Sequence, residues 1–234
     1  MSAFEYQLQR SIRRKTLSIV IRRGEVKVLA PVFLSKATIS EFIVAKTPWV
    51  LQKLQTQQAW VDQNEQGQKL FIEGEPFLYL GESYPLSVGA ASKSEVILHN
   101  GYFIVNVSNR VKAQNRANHI KALMQDWYKQ QLSDYLEHRI EHYADVIGVV
   151  HTGVNVRAYK RRWGSCSSKG QLSFNFLLMM APAWIIDYVI VHELCHLTHM
   201  DHSPRFWAKV QRFYPRHKEA KAWLKHEGGN LRLD

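Results

Sequence analysis

The amino-acid sequence predicts an α+β fold, because strand patterns and helix patterns occupy separate stretches of the chain. Residues 69–107 contain short apolar alternations separated by glycines, which is typical of strands joined by tight turns. Residues 113–147 repeat apolar side chains every three to four positions, which predicts one long helix. With 234 residues, the chain can form one large domain or two small ones. We therefore expect a β-rich region over 1–112 with one helical segment, and a helical region over 113–234, which can also form one continuous domain.

The N-terminal third begins with a hairpin pattern. Residues 16–21 and 26–30 alternate on either side of a turn at 22–25, and Pro31 ends the second strand. Residues 35–58 then predict a helix, which we expect Pro48 to divide in two, because the residue before a proline disfavours helical backbone. Five further strands are predicted between glycine turns and an Asn100-Gly101 pair, over residues 69–72, 77–80, 84–88, 96–99 and 102–107.

Helices and strands alternate in the C-terminal half. The predicted order is a helix over 113–147 that ends at Gly148, a strand over 153–159, a loop over 161–170 and a strand over 171–176. Pro182 then suits the first position of a helix that is apolar nearly all the way round, and such a helix is buried. Ser203-Pro204 begins another helix, and the last one, near 216–227, ends at two glycines.

The charge balance favours an anionic partner. Lys and Arg number 31 against 20 Asp and Glu, which gives a net charge of +11. The basic residues are spread along the chain without a stripe of interleaved aromatic residues, so the pattern gives little support to nucleic-acid binding.

The expected location is the cytoplasm, with no membrane partner. The start of the chain lacks a long apolar core, and two cysteines do not form a disulfide framework. The apolar run 176–191 contains Pro182 and Asp187 and is short of the roughly 20 apolar residues that a membrane span requires.

The most informative motif is an H-E-x-x-H sequence formed by His192, Glu193 and His196. On a helix the two histidines lie one turn apart on the same face, where both can bind one zinc ion. The glutamate between them can act as a general base toward a water on that metal. Two core histidines hydrogen-bonded to carbonyls are the alternative, but polar side chains on so apolar a helix require partners.

Two residues can supply a third ligand. His199 shares the helix face, but His192 and His199 are roughly 10 Å apart along a helix that rises about 1.5 Å per residue, and such a row surrounds a metal poorly. His202 lies beyond the predicted helix end, where a bend can return it to the metal. We therefore expect His202 as the third ligand, His199 as a residue that faces the substrate or supports a ligand, and Asp201 as a candidate to orient an imidazole.

Residues 157–207 resemble the YgjP-like metallopeptidase family, which is related to the WLM and SprT-type metalloproteases. The resemblance rests on the segments 162–166 (RWGSC) and 191–196 (VHELCH), on Asn175, and on 202–207 (HSPRFW). The N-terminal hairpin with Pro31 and the helix with Trp49 also resemble the leading region of this family. The resemblance implies a zincin-like metallopeptidase fold with an N-terminal β-rich region packed against a C-terminal helical catalytic region.

The same resemblance implies zinc on His192, His196 and His202, with Glu193 as catalytic base. The expected function is therefore a zinc metallopeptidase that cleaves a peptide or protein substrate with water activated by the metal. Arg162 and His199 are the expected substrate-binding residues, and the candidates to stabilise the oxyanion are Arg162, His199, Tyr214 and His217.

Three alternatives remain open on the residues alone. Arg157, Lys160, Arg161 and Arg162 can bind phosphates, which favours a nucleoside triphosphate pyrophosphatase that also takes Mg²⁺ with its substrate. A basic nucleic-acid-associated module with structural zinc requires a fourth ligand that the sequence does not supply. Ser165 or Cys166 can serve as a nucleophile, although a nearby metal site makes that role unnecessary.

Overall fold

The structure is a computed structural model that describes residues 4–22, 25–65 and 69–233. Within those ranges it mixes ten strands with five α-helices, which confirms the predicted α+β class. Backbone contacts divide the chain into two compact units, Met1–Gln68 and Lys69–Asp234. The boundary predicted between residues 112 and 113 lies inside the second unit and stays a prediction.

The first unit contains a three-stranded sheet. Its strands are β1 (Gln7–Ser11), β2 (Ser18–Arg22) and β3 (Glu25–Pro31), in the order β1-β3-β2. The antiparallel pairing of β2 with β3 confirms the predicted hairpin, although Arg23 and Gly24 of its predicted turn lie outside the described residues. Strand β1 pairs parallel with β3 and was not predicted, because its side chains are almost all exposed and show no apolar alternation.

Helix α1 (Lys36–Glu65) completes the first unit and passes through Pro48 without a break. The prediction that Pro48 divides this helix is therefore wrong. In the preceding turn, the hydroxyl of Thr47 donates a hydrogen bond to the carbonyl of Ile43 at 2.9 Å. Apolar packing on both sides of the proline keeps the helix continuous, since tertiary packing supplies most helical stability in proteins. The buried cluster of this unit includes Val28, Ala30, Ile39, Ile43 and Val50.

The second unit begins with a four-stranded sheet. Its strands are β4 (Pro76–Tyr79), β5 (Glu82–Ala91), β6 (Glu95–His99) and β7 (Tyr102–Ser108), in the order β4-β5-β7-β6. Strands β6 and β7 form the predicted hairpin, and Asn100 and Gly101 between them adopt left-handed φ angles of 48° and 79°, as its tight turn requires.

The predicted strand over 69–72 is wrong. The backbone N–H groups of Leu70 and Phe71 donate to the carboxylate of Glu75, at 3.1 and 2.6 Å, and not to a neighbouring strand. The segment is therefore a turn stabilised by a side chain, and its apolar residues do not indicate strand pairing.

Helix α2 (Arg116–Ile147) lies between this sheet and the rest of the unit, and Gly148 ends it with a φ of 74°. A second, three-stranded sheet follows: β8 (Gly153–Arg157), β9 (Gly164–Cys166) and β10 (Gln171–Asn175), in the order β8-β10-β9. Strand β9 lies in the segment predicted to be a loop, because three residues are too few to show an alternation. One face of α2 is buried, at Ile120, Met124, Tyr128, Leu132, Leu136, Ile140, Ala144 and Ile147.

Three helices complete the chain: α3 (Ala183–His196), α4 (Pro204–Phe213) and α5 (His217–Glu227). Pro182 is the N-cap of α3, so the helix begins one residue later than predicted, at Ala183. Ser203 caps α4 as predicted, because its hydroxyl accepts from the N–H of Phe206. Helix α3 packs against α2, β9, α4 and α5, so it is the central element of the second unit. Among the helices that the structure describes, none is long and apolar enough to cross a membrane.

Candidate metal centre

Helix α3 is fixed in place by one buried charge. Asp187 is 7% exposed, and its carboxylate accepts from Nε of Arg139 at 3.0 Å and from the hydroxyl of Tyr135 at 3.1 Å, both on α2. A second guanidinium nitrogen also contacts this carboxylate, so the pair is bidentate. Through this interaction the middle of α3 is tied to α2, one turn before the histidine motif begins.

The three predicted metal ligands lie together. One ligand atom from each of His192, His196 and His202 lies within 4.8 Å of the other two. The ring centroid of His192 is 4.9 Å from that of His196 and 5.2 Å from that of His202, and the remaining pair is 4.7 Å apart. His192 and His196 come from successive turns of α3, and His202 comes from the bend between α3 and α4.

The nitrogens that face the centre can be identified. Nδ1 of His196 donates to the carbonyl of His199 at 3.0 Å, which leaves the lone pair on Nε2. Nε2 of His192 lies 3.2 Å from Nε2 of His202. Burial and the neighbouring His196 and His202 lower the pKa of His192 to about 3. His192 is therefore neutral at pH 7, which is the form in which imidazole binds a metal.

The bend that carries His202 is held by its own side chains. The carboxylate of Asp201 accepts from the N–H of Ser203 at 3.3 Å. At His196 the imidazole is oriented by the carbonyl of His199 and not by Asp201. Asp201 instead stabilises the turn before α4, a common role for Asp at this position.

An aromatic residue that the sequence did not assign to the site lies against all three imidazoles. Phe206 of α4 is fully buried, and its ring is stacked on His196 with the centroids 4.4 Å apart. Its centroid is 5.0 Å from that of His192 and 4.9 Å from that of His202. The ring of Phe206 therefore limits the orientations that the three imidazoles can adopt, and it excludes water from one side of the cluster.

Glu193 lies beside the histidines, against the backbone of β9. The side chain is 5% exposed, and burial raises its pKa to about 8, while the nearby guanidinium of Arg162 lowers it. A cation bound to the three histidines would lower that pKa further. A Cβ added to Gly164 would lie 2.6 Å from Oε1 of Glu193, so the carboxylate fits only because position 164 is a glycine.

Arg162 lies on a loop that is tied to β10. The side-chain amide of Asn175 donates to the carbonyls of Tyr159 and Arg162, at 3.0 and 3.3 Å. The N–H of Asn175 also donates to the carbonyl of Trp163 at 2.8 Å. The structure therefore brings the predicted residue Arg162 close to Glu193, on a segment with a defined conformation.

His199 is placed differently from the other histidines of the motif. Its carbonyl contacts His196, but its side chain lines a separate depression of about 420 Å³, together with Thr198, Lys209 and Arg212 of the neighbouring turn and α4. The role of His199 in substrate binding stays a prediction, and its backbone contact with His196 is a feature that sequence reasoning did not identify.

Two candidates for stabilising the oxyanion have other structural contacts. The hydroxyl of Tyr214 donates to the carbonyl of Trp184 at 2.5 Å. His217 is buried and its ring is stacked on Trp207, with the centroids 5.9 Å apart. Trp207 lies between His217 and the histidine cluster, since its centroid is 5.7 Å from that of His192.

Among the described residues, neither the serine nor the cysteine of β9 is hydrogen-bonded to a base. The hydroxyl of Ser165 is hydrogen-bonded to that of Tyr159 at 3.0 Å. Burial and nearby Glu193 raise the pKa of the Cys166 thiol, which disfavours the thiolate. These contacts favour a structural role for both residues.

Comparison with known proteins decides the family. A family model described as the YgjP-like metallopeptidase domain matches residues 15–227. The chain belongs to the YgjP-like metallopeptidase family. A solved structure, the metallopeptidase zymogen of Pyrococcus abyssi abylysin, is similar to 39% of this chain and 95% of its own, with 27% identity and a TM-score of 0.36. No curated protein matches the sequence.

Membership of the YgjP-like family makes this chain a hydrolase of the metallopeptidase class, so a peptide or protein is its expected type of substrate. The family also implies a metal ion, and the residues fit one. The three imidazoles converge. The buried Nδ1 of His192 has no hydrogen-bond partner among the described residues, so no hydrogen bond from this atom gives the ring a structural role. Three neutral nitrogen donors are a set that divalent transition metals accept.

Proposed function

We propose that this YgjP-like protein is a zinc-dependent metallopeptidase in which His192, His196 and His202 hold the ion and Glu193 is the general base. The observation that carries the proposal is the convergence of three imidazoles beside one buried carboxylate. Zinc accepts three imidazole ligands and keeps a fourth position open. When bound, such an ion lowers the pKa of a water molecule and polarises a carbonyl group.

Glu193 accepts the proton of the attacking water and then delivers it to the leaving amine. Its contact with Gly164 limits where the carboxylate can lie. Arg162 lies near this carboxylate and is the residue that we propose for substrate binding. His199 supports His196 through its carbonyl, and any contact of its side chain with substrate remains part of the proposal.

A strand edge next to the centre suits an extended peptide. Strand β9 is at the edge of the order β8-β10-β9, and it packs against α3. An extended peptide that pairs with a sheet edge is bound through its main chain, whatever its side chains are. We propose that the substrate binds along β9, with the scissile bond close to Gly164 and Glu193.

The experiment that tests this function is peptide hydrolysis by the zinc-loaded protein, with Glu193→Gln as the inactive variant. General-base catalysis contributes typically 10²–10⁴-fold, so we expect a loss of about 10³-fold without loss of zinc. Glu137→Gln on the exposed face of α2 is the matched control and should hydrolyse peptides like the wild type. Equal rates for the wild type and Glu193→Gln would show that Glu193 is not the base.

A nucleoside triphosphate is the second candidate substrate. The observation that favours it is the group of exposed cations at Arg157, Lys160, Arg161 and Arg162, of which Arg162 lies near Glu193. Guanidinium groups bind phosphates well, and Mg²⁺ would then enter with the substrate. The hydrolysis experiment therefore includes nucleoside triphosphates with Mg²⁺. Nucleotide hydrolysis without any peptide hydrolysis would replace the peptidase proposal.

Structural zinc in a nucleic-acid-associated module is less consistent with the site. Structural zinc has four protein ligands, whereas the group found among the described residues has three. We propose a cytoplasmic location, with which the two free cysteines are consistent.

A further inference from the structure

The segment before β9 is a fixed loop. Asn175, which is 3% exposed, holds the carbonyls of Tyr159 and Arg162 through its side-chain amide. The hydroxyl of Tyr159 is hydrogen-bonded to Ser165 of β9 at 3.0 Å. Because both ends of the loop are tied to the sheet, the backbone of residues 159–162 has a defined position relative to β9.

This loop carries several exposed positive charges. Lys160, Arg161 and Arg162 are exposed, as is Arg157 at the end of β8, and none of them forms an ion pair with a residue in the described part of the chain. Other arginines of the protein do have such partners, for example Arg139 with Asp187 and Arg216 with Glu219. The cations of the loop are therefore available to an incoming ligand.

Arg162 is the member of this group closest to the reacting region. It precedes Gly164 by two residues, and Gly164 is the point where β9 contacts Glu193. Its guanidinium lies 5.6 Å from the ring centroid of Tyr159, a contact that places the charge above a residue of the fixed loop.

A second exposed cation lies near the histidines, against the ring of Trp207. Nζ of Lys221, on α5, is 4.7 Å from the ring centroid of Trp207, whose ring lies 5.7 Å from His192 and 5.6 Å from His202. Lys221 therefore adds a second positive charge near the histidines, and a bound dication would add to the same positive potential. Regions lined by one sign of charge concentrate ligands of the opposite sign.

We propose that this centre selects peptides that carry Asp or Glu close to the scissile bond, with Arg162 as the residue that binds the carboxylate. The inference rests on the proposed peptidase function and specifies its substrate class. A peptide paired with the edge of β9 passes Arg162 within two residues of Gly164, which is within reach of an acidic side chain near the bond that is cleaved. A guanidinium binds such a carboxylate with two parallel hydrogen bonds.

The first test measures binding and does not depend on turnover. Zinc-loaded Glu193→Gln protein is titrated with short peptides of one sequence that carry Glu, Gln or Lys at the positions flanking the scissile bond. We expect the Glu peptide to bind about fivefold more tightly than the Gln peptide at low salt, with the Lys peptide weakest, because exposed ion pairs contribute about 0.2–1 kcal/mol. High salt should reduce the difference.

Adding Arg162→Gln to that protein should abolish the preference, whereas Arg110→Gln, in the exposed turn after β7, is the matched control and should preserve it. Equal binding of the three peptides, or a preference that survives Arg162→Gln, would overturn the inference.

The second test measures selectivity in cleavage. The ratio of kcat/KM for the Glu peptide to that for the Lys peptide should exceed one in the wild type and fall below one in Arg162→Glu. A wild type that cleaves all peptides equally would overturn the acidic preference while the peptidase function stands. If the wild type cleaves no peptide and the three peptides also bind equally, both the acidic preference and the proposed peptidase function are overturned.

Discussion

Gly164 and Glu193 are in such close contact that a side chain at position 164 would displace the carboxylate of Glu193. A Cβ built on Gly164 would lie 2.6 Å from Oε1, 2.7 Å from Cγ and 2.9 Å from Cδ of Glu193. Real Cβ atoms essentially never approach other atoms that closely. The glycine of β9 therefore determines where the proposed catalytic base can lie, although the two residues are far apart in sequence.

The first prediction follows from this contact. Gly164→Ala should displace the carboxylate of Glu193 and lower kcat on peptides by about 10²-fold, because misplacement of a reacting group by about 1 Å can have an effect of that size. Zinc content should not change, since Gly164 is not placed against the histidines. The measurement is kcat together with metal analysis and the temperature of unfolding. A wild-type rate in Gly164→Ala would show that the position of Glu193 is not critical.

The second prediction concerns Phe206. Phe206→Ala should lower the free energy of unfolding by about 3–5 kcal/mol, because it removes a fully buried ring. It should also weaken zinc binding, since the three imidazoles lose the surface that limits their orientation. Phe206→Leu keeps most of the apolar volume and separates the two effects. Denaturant unfolding and competition with a metal chelator measure them, and unchanged zinc affinity in both variants would contradict the orienting role.

The third prediction separates the two downstream histidines. His202→Ala should lose zinc far more than His199→Ala, because the imidazole of His202 faces the other ligands and that of His199 lines a different depression. His199→Ala should retain metal, since only the backbone carbonyl of that residue contacts His196. Metal analysis after dialysis compares the two variants directly. Equal losses would show that the choice of His202 is wrong.

The fourth prediction tests how α3 is held. Asp187→Ala should destabilise the protein by about 1–3 kcal/mol, because the variant leaves Arg139 and Tyr135 without their shared partner. This loss of stability is smaller than the loss expected when one partner of a fully buried ion pair is removed, because the side chain of Arg139 is 42% exposed. Thermal or denaturant unfolding measures this effect. Asp126→Ala, whose exposed carboxylate pairs with Lys129, is the matched control and should change stability by less than about 1 kcal/mol.

Local spacing explains which parts of the site could be read from the sequence. The separation of His192 from His196 fixes their shared helix face, and the Ser203-Pro204 pair indicates where the next helix begins. His202 was expected near the metal because a bend lies between the two helices, and the structure brings its ring to 4.7 Å from that of His196. Each of these inferences depends only on residues close together in the chain.

Contacts between distant segments could not be read in this way. No sequence pattern indicates that Gly164 lies against Glu193, or that Asn175 holds the carbonyl of Arg162. Phe206 lies in the helix predicted to begin at Ser203-Pro204, but its contact with the imidazoles depends on how α4 packs on α3. Strand β9 and the continuity of α1 through Pro48 also depend on contacts with segments that lie elsewhere in the fold, so local patterns did not predict them.

The central claim is that three imidazoles hold one zinc ion beside Glu193, and X-ray absorption at the zinc edge of the reconstituted protein tests it most directly. The account predicts three imidazole nitrogens at about 2.0–2.1 Å from the zinc and one further oxygen ligand. Glu193→Gln should give the same spectrum, and His202→Ala should lose one nitrogen ligand. A protein that retains no zinc, a sulfur ligand at about 2.3 Å, or a spectrum unchanged by His202→Ala would contradict it.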